Sequence, residues 1–242
     1  MVLLFSSYTH AQKPTYDQLW LEVEMHELEG LPKSALKVVE QISAQANKDE
    51  NHPQAIKTML FKSKFALELE DEAQLKIIND FIQQIEVSSF PVKNILESIL
   101  ADLYWQYFQQ NRWRFYNRTK TSEKINENDF RTWDLETLFE EIHIHFQQSL
   151  SSGLLLQLEP LEKYSALLTE QKNSKLYRPT IFDFLSHNAL DFYKTNETHI
   201  NKPAYKFEIN NLDYISDAKT FSSLNITSEK KFCYNKSIEL NQ

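Results

Sequence analysis

The sequence predicts an all-α fold, with antiparallel helical hairpins stacked as a tetratricopeptide-like α-solenoid or bundle. Three observations carry that expectation. Only two glycines, Gly30 and Gly153, occur in 242 residues, whereas β-hairpins, dinucleotide-binding turns and phosphate loops need glycine for positive φ or close backbone approach. Apolar residues recur at helical spacing along most of the chain. Pro14, Pro32, Pro53, Pro91 and Pro179 each stand at or just before such a segment, where a first-turn N–H has no partner to lose.

The first helix follows Pro14, with Tyr16, Leu19, Trp20 and Val23 on one face. The second follows Gly30-Leu31-Pro32 and aligns Ala35, Val38, Val39, Ile42 and Ala46. The third follows Pro53 and is expected to bury Ile56, Met59, Leu60 and Leu67; the fourth uses Leu75, Ile78, Ile82 and Ile85. The fifth, the longest, follows Pro91 with Val92, Ile95, Leu96, Ile99 and Leu103 and runs on into the Trp105 segment. The intervals Pro14 to Pro53 and Pro53 to Pro91 are nearly equal and each encloses two helices, the size of one hairpin in an α-solenoid. A polar loop, Thr119 to Asn128, precedes the sixth helix. There Asp134 is placed to cap, Trp133 can pack on Leu138, and the stripe is Leu135, Leu138, Phe139, Ile142, Phe146 and Leu150. A connection with Gly153 and Pro160 is expected to hold short helical pieces. The seventh helix starts at Pro179 and buries Ile181, Leu185, Ala189 and Phe192. Beyond Asn196 the pattern weakens: Phe207 to Leu212 reads as a short strand or an extended arm, and Asp217 to Leu224 as a short helix. Trp20, Trp105 and Trp133 are expected to be mostly buried.

Composition narrows the function classes. Hydrophobic residues make up 41% of the chain and aromatics 13%, enough for a substantial core. Acidic residues outnumber basic ones, 34 to 26, for a formal charge of −8; that surface repels a phosphate backbone and argues against nucleic-acid binding. The single Cys233 excludes an internal disulfide framework and any multi-cysteine zinc site. The start, Met1-Val2-Leu3-Leu4-Phe5-Ser6-Ser7-Tyr8-Thr9-His10-Ala11-Gln12, is short and apolar with small residues at Thr9 and Ala11. It reads as the back half of a secretory signal cleaved after Ala11, though without a basic leading region. The run is too short to span a bilayer. Three regions are therefore expected: residues 1–11 as a signal remnant, 12–196 as the helical domain, and 197–242 as an irregular extension.

The residues that carry chemistry elsewhere do not assemble here by spacing. Glu140-Glu141-Ile142-His143 matches the Glu-x-x-His half-motif of di-metal bundles, but such a site needs a second copy and two further inward glutamates, and no second copy exists. Glu140 and His143 also flank the apolar stripe, which favours a solvated face. His143 and His145, two apart on a helix, point in different directions. Cys233 has no local base, and no Gly-x-Ser-x-Gly elbow occurs. Catalytic residues, metal ligands and cofactor ligands are accordingly expected to be none.

The stretch with most character runs from Leu103 to Leu138 and holds three of the four tryptophans. Within it Arg112, Arg114 and Arg118 alternate with Trp113, Phe115 and Tyr116. Trp113 and Phe115 can be read as closing the core at a helix end, with the arginines favoured by the negative pole of the helix dipole. The other reading leaves Trp113 partly exposed and makes Arg112, Trp113, Arg114 and Arg118 a protein-binding patch.

Several of these pieces occur together in a recognisable order. They are Tyr16 to Glu24, Gly30 to Leu36, Leu103 to Arg118 with its Gln110-Asn111-Arg112-Trp113 centre, Thr132-Trp133-Asp134, and Arg178 to Leu185. In this order they resemble the N-terminal helical region of the large alpha-2-macroglobulin-like proteins of Bacteroidetes-type bacteria, over roughly residues 12 to 225. The resemblance implies an exported, periplasmic or cell-envelope location and a lead-in to macroglobulin β-domains of a protease-trapping inhibitor. The chain departs from the full pattern: it holds no macroglobulin β-domain, no bait region and no Cys-Gly-Glu-Gln thioester, since Tyr234-Asn235-Lys236 follow Cys233. No functional residue of the family carries over. The expectation is a non-catalytic helical interaction module that cannot itself trap proteases and takes no cofactor. Its partner would be protein, either the remainder of a larger chain or an envelope component, with room for peripheral association with a membrane. A free-standing tetratricopeptide-like scaffold is the alternative.

Overall fold

The structure, a computed structural model, describes residues 14–118, 124, 126–169, 171–195 and 212–224. The signal-like run at 1–11, residues 207–211 of the short strand or extended arm expected from Phe207 to Leu212, and Cys233 lie outside them; Leu212 itself opens a tight helical turn. Among the described residues no strand occurs; Pro160 and Thr180 form an isolated antiparallel bridge. The α-helices are α1 (Tyr16–Leu28), α2 (Pro32–Lys48), α3 (His52–Leu69), α4 (Ala73–Val87), α5 (Val92–Tyr116), α6 (Leu135–Ser149), α7 (Gly153–Gln157), α8 (Ser174–Tyr177), α9 (Ile181–Tyr193) and α10 (Ala218–Ser222). Among the described residues tighter helical turns cover Phe130–Thr132, Leu161–Leu167 and Leu212–Ile215. The all-helical class expected from the sequence is what the described residues adopt. The described residues divide into two compact units, the first reaching Gln74 and adding residues 166–168, the second taking up the rest from Leu75.

In the first unit α2 packs on both α1 and α3. Thr15 caps α1 reciprocally with Gln18: Gln18 N donates to Thr15 Oγ1 at 3.3 Å and Thr15 N donates to Gln18 Oε1 at 2.9 Å. Helix α1 ends where Gly30 takes φ +68°, letting Leu31 N reach His26 O at 2.8 Å and Gly30 N reach Glu27 O at 3.0 Å. That pair of bonds is a Schellman closure, and glycine adopts its left-handed residue without a Cβ penalty. Helix α2 ends the same way, with Asn51 N on Ala46 O at 2.9 Å, but the left-handed residue is Glu50 at φ +52°. The core is Leu19, Val23, Ala35, Val38, Val39, Ile42 and Phe65, joined by Trp20, Phe61 and Leu69.

Helix α3 corrects the sequence expectation. Its side facing this core carries Phe61, Phe65 and Leu69, spaced by one turn. Phe65 lies about half a turn round the helix from Ile56, so the expected stripe of Ile56, Met59, Leu60 and Leu67 is a second, opposite face. Ile56 is buried there and Leu67 is exposed. Two apolar stripes on one helix are indistinguishable by periodicity alone. In α4 the inward positions are Ala73, Ile77, Ile78, Phe81 and Ile85, whereas the expected Leu75 and Ile82 are half-buried.

In the second unit α5 is central and packs on α6 and α9, while α7 packs on α9. From Asn94 to Ala101 it is buried nearly all round, polar Asn94, Glu97 and Ser98 included, instead of showing a single stripe. Asn94 is buried productively: its Nδ2 donates to Ser149 O at 3.0 Å and Ser151 O at 2.9 Å, closing the C-terminal carbonyls of α6. Helix α6 begins as expected, with Asp134 Oδ1 accepting from Thr137 N at 2.8 Å, and with Trp133 and Leu138 both buried. Trp20 and Trp105 are half-buried and Trp133 is fully buried. Helix α9 carries a reciprocal Thr180–Asp183 cap, and Ile181, Leu185, Ala189 and Phe192 are all buried. Gly153 opens α7 where an added Cβ would lie 3.2 Å from the Phe182 ring of α9, so a larger residue there would need that ring to shift by a few tenths of an ångström.

Candidate interaction surface at the end of the long helix

Helix α5 does not run straight to its end. At Asn111 the backbone leaves helical geometry, at φ −118° and ψ 17°. The Asn111 side chain answers the break, its Nδ2 donating to Tyr107 O at 3.0 Å and its Oδ1 accepting from Arg114 Nη1 at 3.3 Å. The turn beyond the break is anchored from inside by Phe115, which is buried. It meets Tyr107 edge-on at 5.9 Å and Phe108 at 5.7 Å. Arg118 anchors it from the other side, donating to Trp133 O at 2.6 Å and lying over the Phe115 ring at 5.0 Å. The α5 end is thereby tied to the start of α6.

These anchors leave Trp113 outside. Trp113 is 68% exposed, Tyr116 is 47% exposed, and Arg112 and Arg114 are exposed beside them. The reading in which Trp113 and Phe115 together close the core is therefore half right. Two residues apart on a helix, they cannot share a face; Phe115 takes the core and Trp113 the surface. Of the four expected patch residues, Arg112, Trp113 and Arg114 form an exposed knuckle. Arg118 is half-buried and holds the knuckle in place.

The histidines of α6 are half-buried and each is engaged across a helix interface, where His143 was expected on a solvated face. His143 Nδ1 and Gln147 Nε2 converge on Tyr193 Oη at 2.7 and 3.2 Å, joining α6 to α9. His145 joins α6 to α5: its Nδ1 meets the buried Glu97 carboxylate at 2.6 Å and its ring stacks on Tyr104. On the other ring edge Nε2 lies 3.8 Å from Glu141, which is paired with Lys124, and Lys124 sits 4.3 Å over the Trp133 ring. Burial, reinforced by the Glu141 charge, pushes the Tyr104 hydroxyl well above its ordinary range. The two carboxylates approach different nitrogens of His145, so they do not share one point in space. Among the described residues no group of three or more His, Cys, Asp or Glu gathers as a metal site would require. This polar network could not have been read from the sequence, since Glu97 and His145 lie on different helices and no local pattern joins them.

A second perturbed ionisable group is the half-buried Asp102 of α5. Asp102 is pushed up to about 7, chiefly by burial and further by the charge of Asp191. No helix among the described residues is long and apolar enough to cross a membrane.

No family model matches the chain, and no curated protein or solved structure matches it.

Proposed function

We propose that the chain is a non-catalytic helical interaction module that engages a protein partner through the knuckle of Arg112, Trp113 and Arg114. The observation that carries this reading is the exposure of Trp113 on a turn whose neighbours, Phe115 and Arg118, are fixed by packing and hydrogen bonding. An exposed tryptophan flanked by arginines on a preorganised turn has the composition of an interface hot spot, and its rigidity lowers the ordering cost of binding. The stacking of α1, α2 and α3, with α2 in the middle, supports the tetratricopeptide-like arrangement within this reading.

The sequence resemblance supports placing the module at the head of a macroglobulin-like envelope protein, exported and cleaved after Ala11. Alone it carries no bait segment or thioester, so it neither traps nor inhibits a protease. The deciding experiment is a pull-down from envelope extract of the source cells, using wild type and folded Arg112→Ala and Trp113→Ala variants. Loss of the same partner from both variants supports the knuckle, and unchanged capture retires it. Inhibition of a protease by the purified chain would overturn the inert reading, and an unprocessed cytoplasmic product would overturn export.

A further inference from the structure

The knuckle has an electrostatic character that narrows its partner. Residues 109–118 contain three arginines and no acidic residue, in a chain whose formal charge is −8. The hydrogen bonds of Arg114 and Arg118 go to neutral oxygens, Asn111 Oδ1 and Trp133 O, so those bonds leave both positive charges uncancelled. Both charges also act on the Tyr107 hydroxyl, pulling its titration down against the larger upward effect of burial. Asp129, which opposes them there, is held by Arg131 through two hydrogen bonds of 2.8 and 2.9 Å. Arg114 and Arg118 therefore place positive charge beside the exposed Trp113.

Resting on the reading of the knuckle as the contact surface, we infer that its partner is an acidic protein segment bearing an apolar side chain that covers Trp113. Complementary charge steers such a segment and fixes its register, while the indole supplies the desolvated anchor. A nucleic acid fits less well. Its uniform phosphate charge extends beyond a single arginine cluster and meets the net-negative remainder of the chain.

The probe is a fluorophore-labelled synthetic peptide alternating glutamate with leucine and phenylalanine, titrated with the full chain and read by anisotropy. A matched peptide with lysine for glutamate is the control. The acidic peptide is expected to saturate wild type, and Trp113→Ala and Arg114→Glu are each expected to weaken it by about tenfold or more. Added salt should weaken binding too, and the lysine peptide should not bind. Circular dichroism confirms that both variants stay folded. Equal binding of the lysine peptide, unchanged affinity in either variant, or tighter binding of single-stranded DNA or phosphatidylserine vesicles through the same residues would overturn the inference. If wild type ignores the acidic peptide while the pull-down partner is still lost from Trp113→Ala, acidity falls and the contact surface stands. If the pull-down partner is also retained, both fall.

Discussion

Asp102 is the residue whose cost is most readily measured. Its folded-state value of about 7 lies above the ordinary 3.8 because burial, and then Asp191, disfavours the charged carboxylate. A raised acid binds its proton more tightly in the fold than in the unfolded chain, so its penalty is absent below about pH 4. The penalty grows as pH rises and is complete above about 7. The wild type is therefore expected to lose stability relative to Asp102→Asn across that window, on the order of 4 kcal/mol in all. Urea unfolding of both proteins from pH 4 to pH 8 measures the difference; parallel curves would show that Asp102 does not titrate in this way. Glu97 is buried on the same helix but is answered by the His145 imidazole, a pairing that spacing along the sequence gives no means of finding. Trp113 was within reach of the sequence. Its two-residue offset from Phe115 forbids a shared helix face, and the apolar character of both obscured that.

At the scale of elements, helix ends were more legible than helix faces. Each of the five helix-marking prolines stands within a residue or two of an observed start, and the Asp134 cap forms as its position indicated. The Thr180-x-x-Asp183 box was equally visible in the sequence and would have sharpened the start of α9. Faces were harder, because α3 carries two apolar stripes and α5 is buried nearly all round; a helix enclosed on every side has no periodicity to read. The matched closures of α1 and α2 provide an internal comparison. Gly30→Ala should cost about 1 kcal/mol through its positive φ alone, since nothing lies within 4 Å of an added Cβ. The mirror change, Glu50→Gly, relieves left-handed strain at an exposed position and gives back part of that gain to the more flexible unfolded chain. A net gain of roughly 0.5 kcal/mol is expected. Denaturant titration of the two variants should move the midpoint in opposite directions with little change of slope; movement in the same direction would show that the closures are not governed by φ.

For the molecule as a whole, the polar groups of α6 act as joints between helices. The Glu-x-x-His segment of α6 was the sequence feature closest to a metal site, and its neighbours show what these side chains do. His143 is bound to Tyr193 and His145 to Glu97, so each histidine joins α6 to a different helix. Glu141 stands on the far side of the His145 ring and is engaged by Lys124. These groups divide their lone pairs and protons among separate partners, where a ligand set would direct them at a common point. Stability then rests on the apolar cores of the two units and on buried polar joints such as Asn94. A structural zinc would contribute roughly 10 kcal/mol or more to folding, and its removal would lower or abolish the thermal transition. Thermal unfolding of the protein as purified from its source, followed by circular dichroism, is therefore expected to give coincident curves with and without excess chelator. A lower transition in chelator, restored by adding back zinc, would show that the α6 histidines serve a metal.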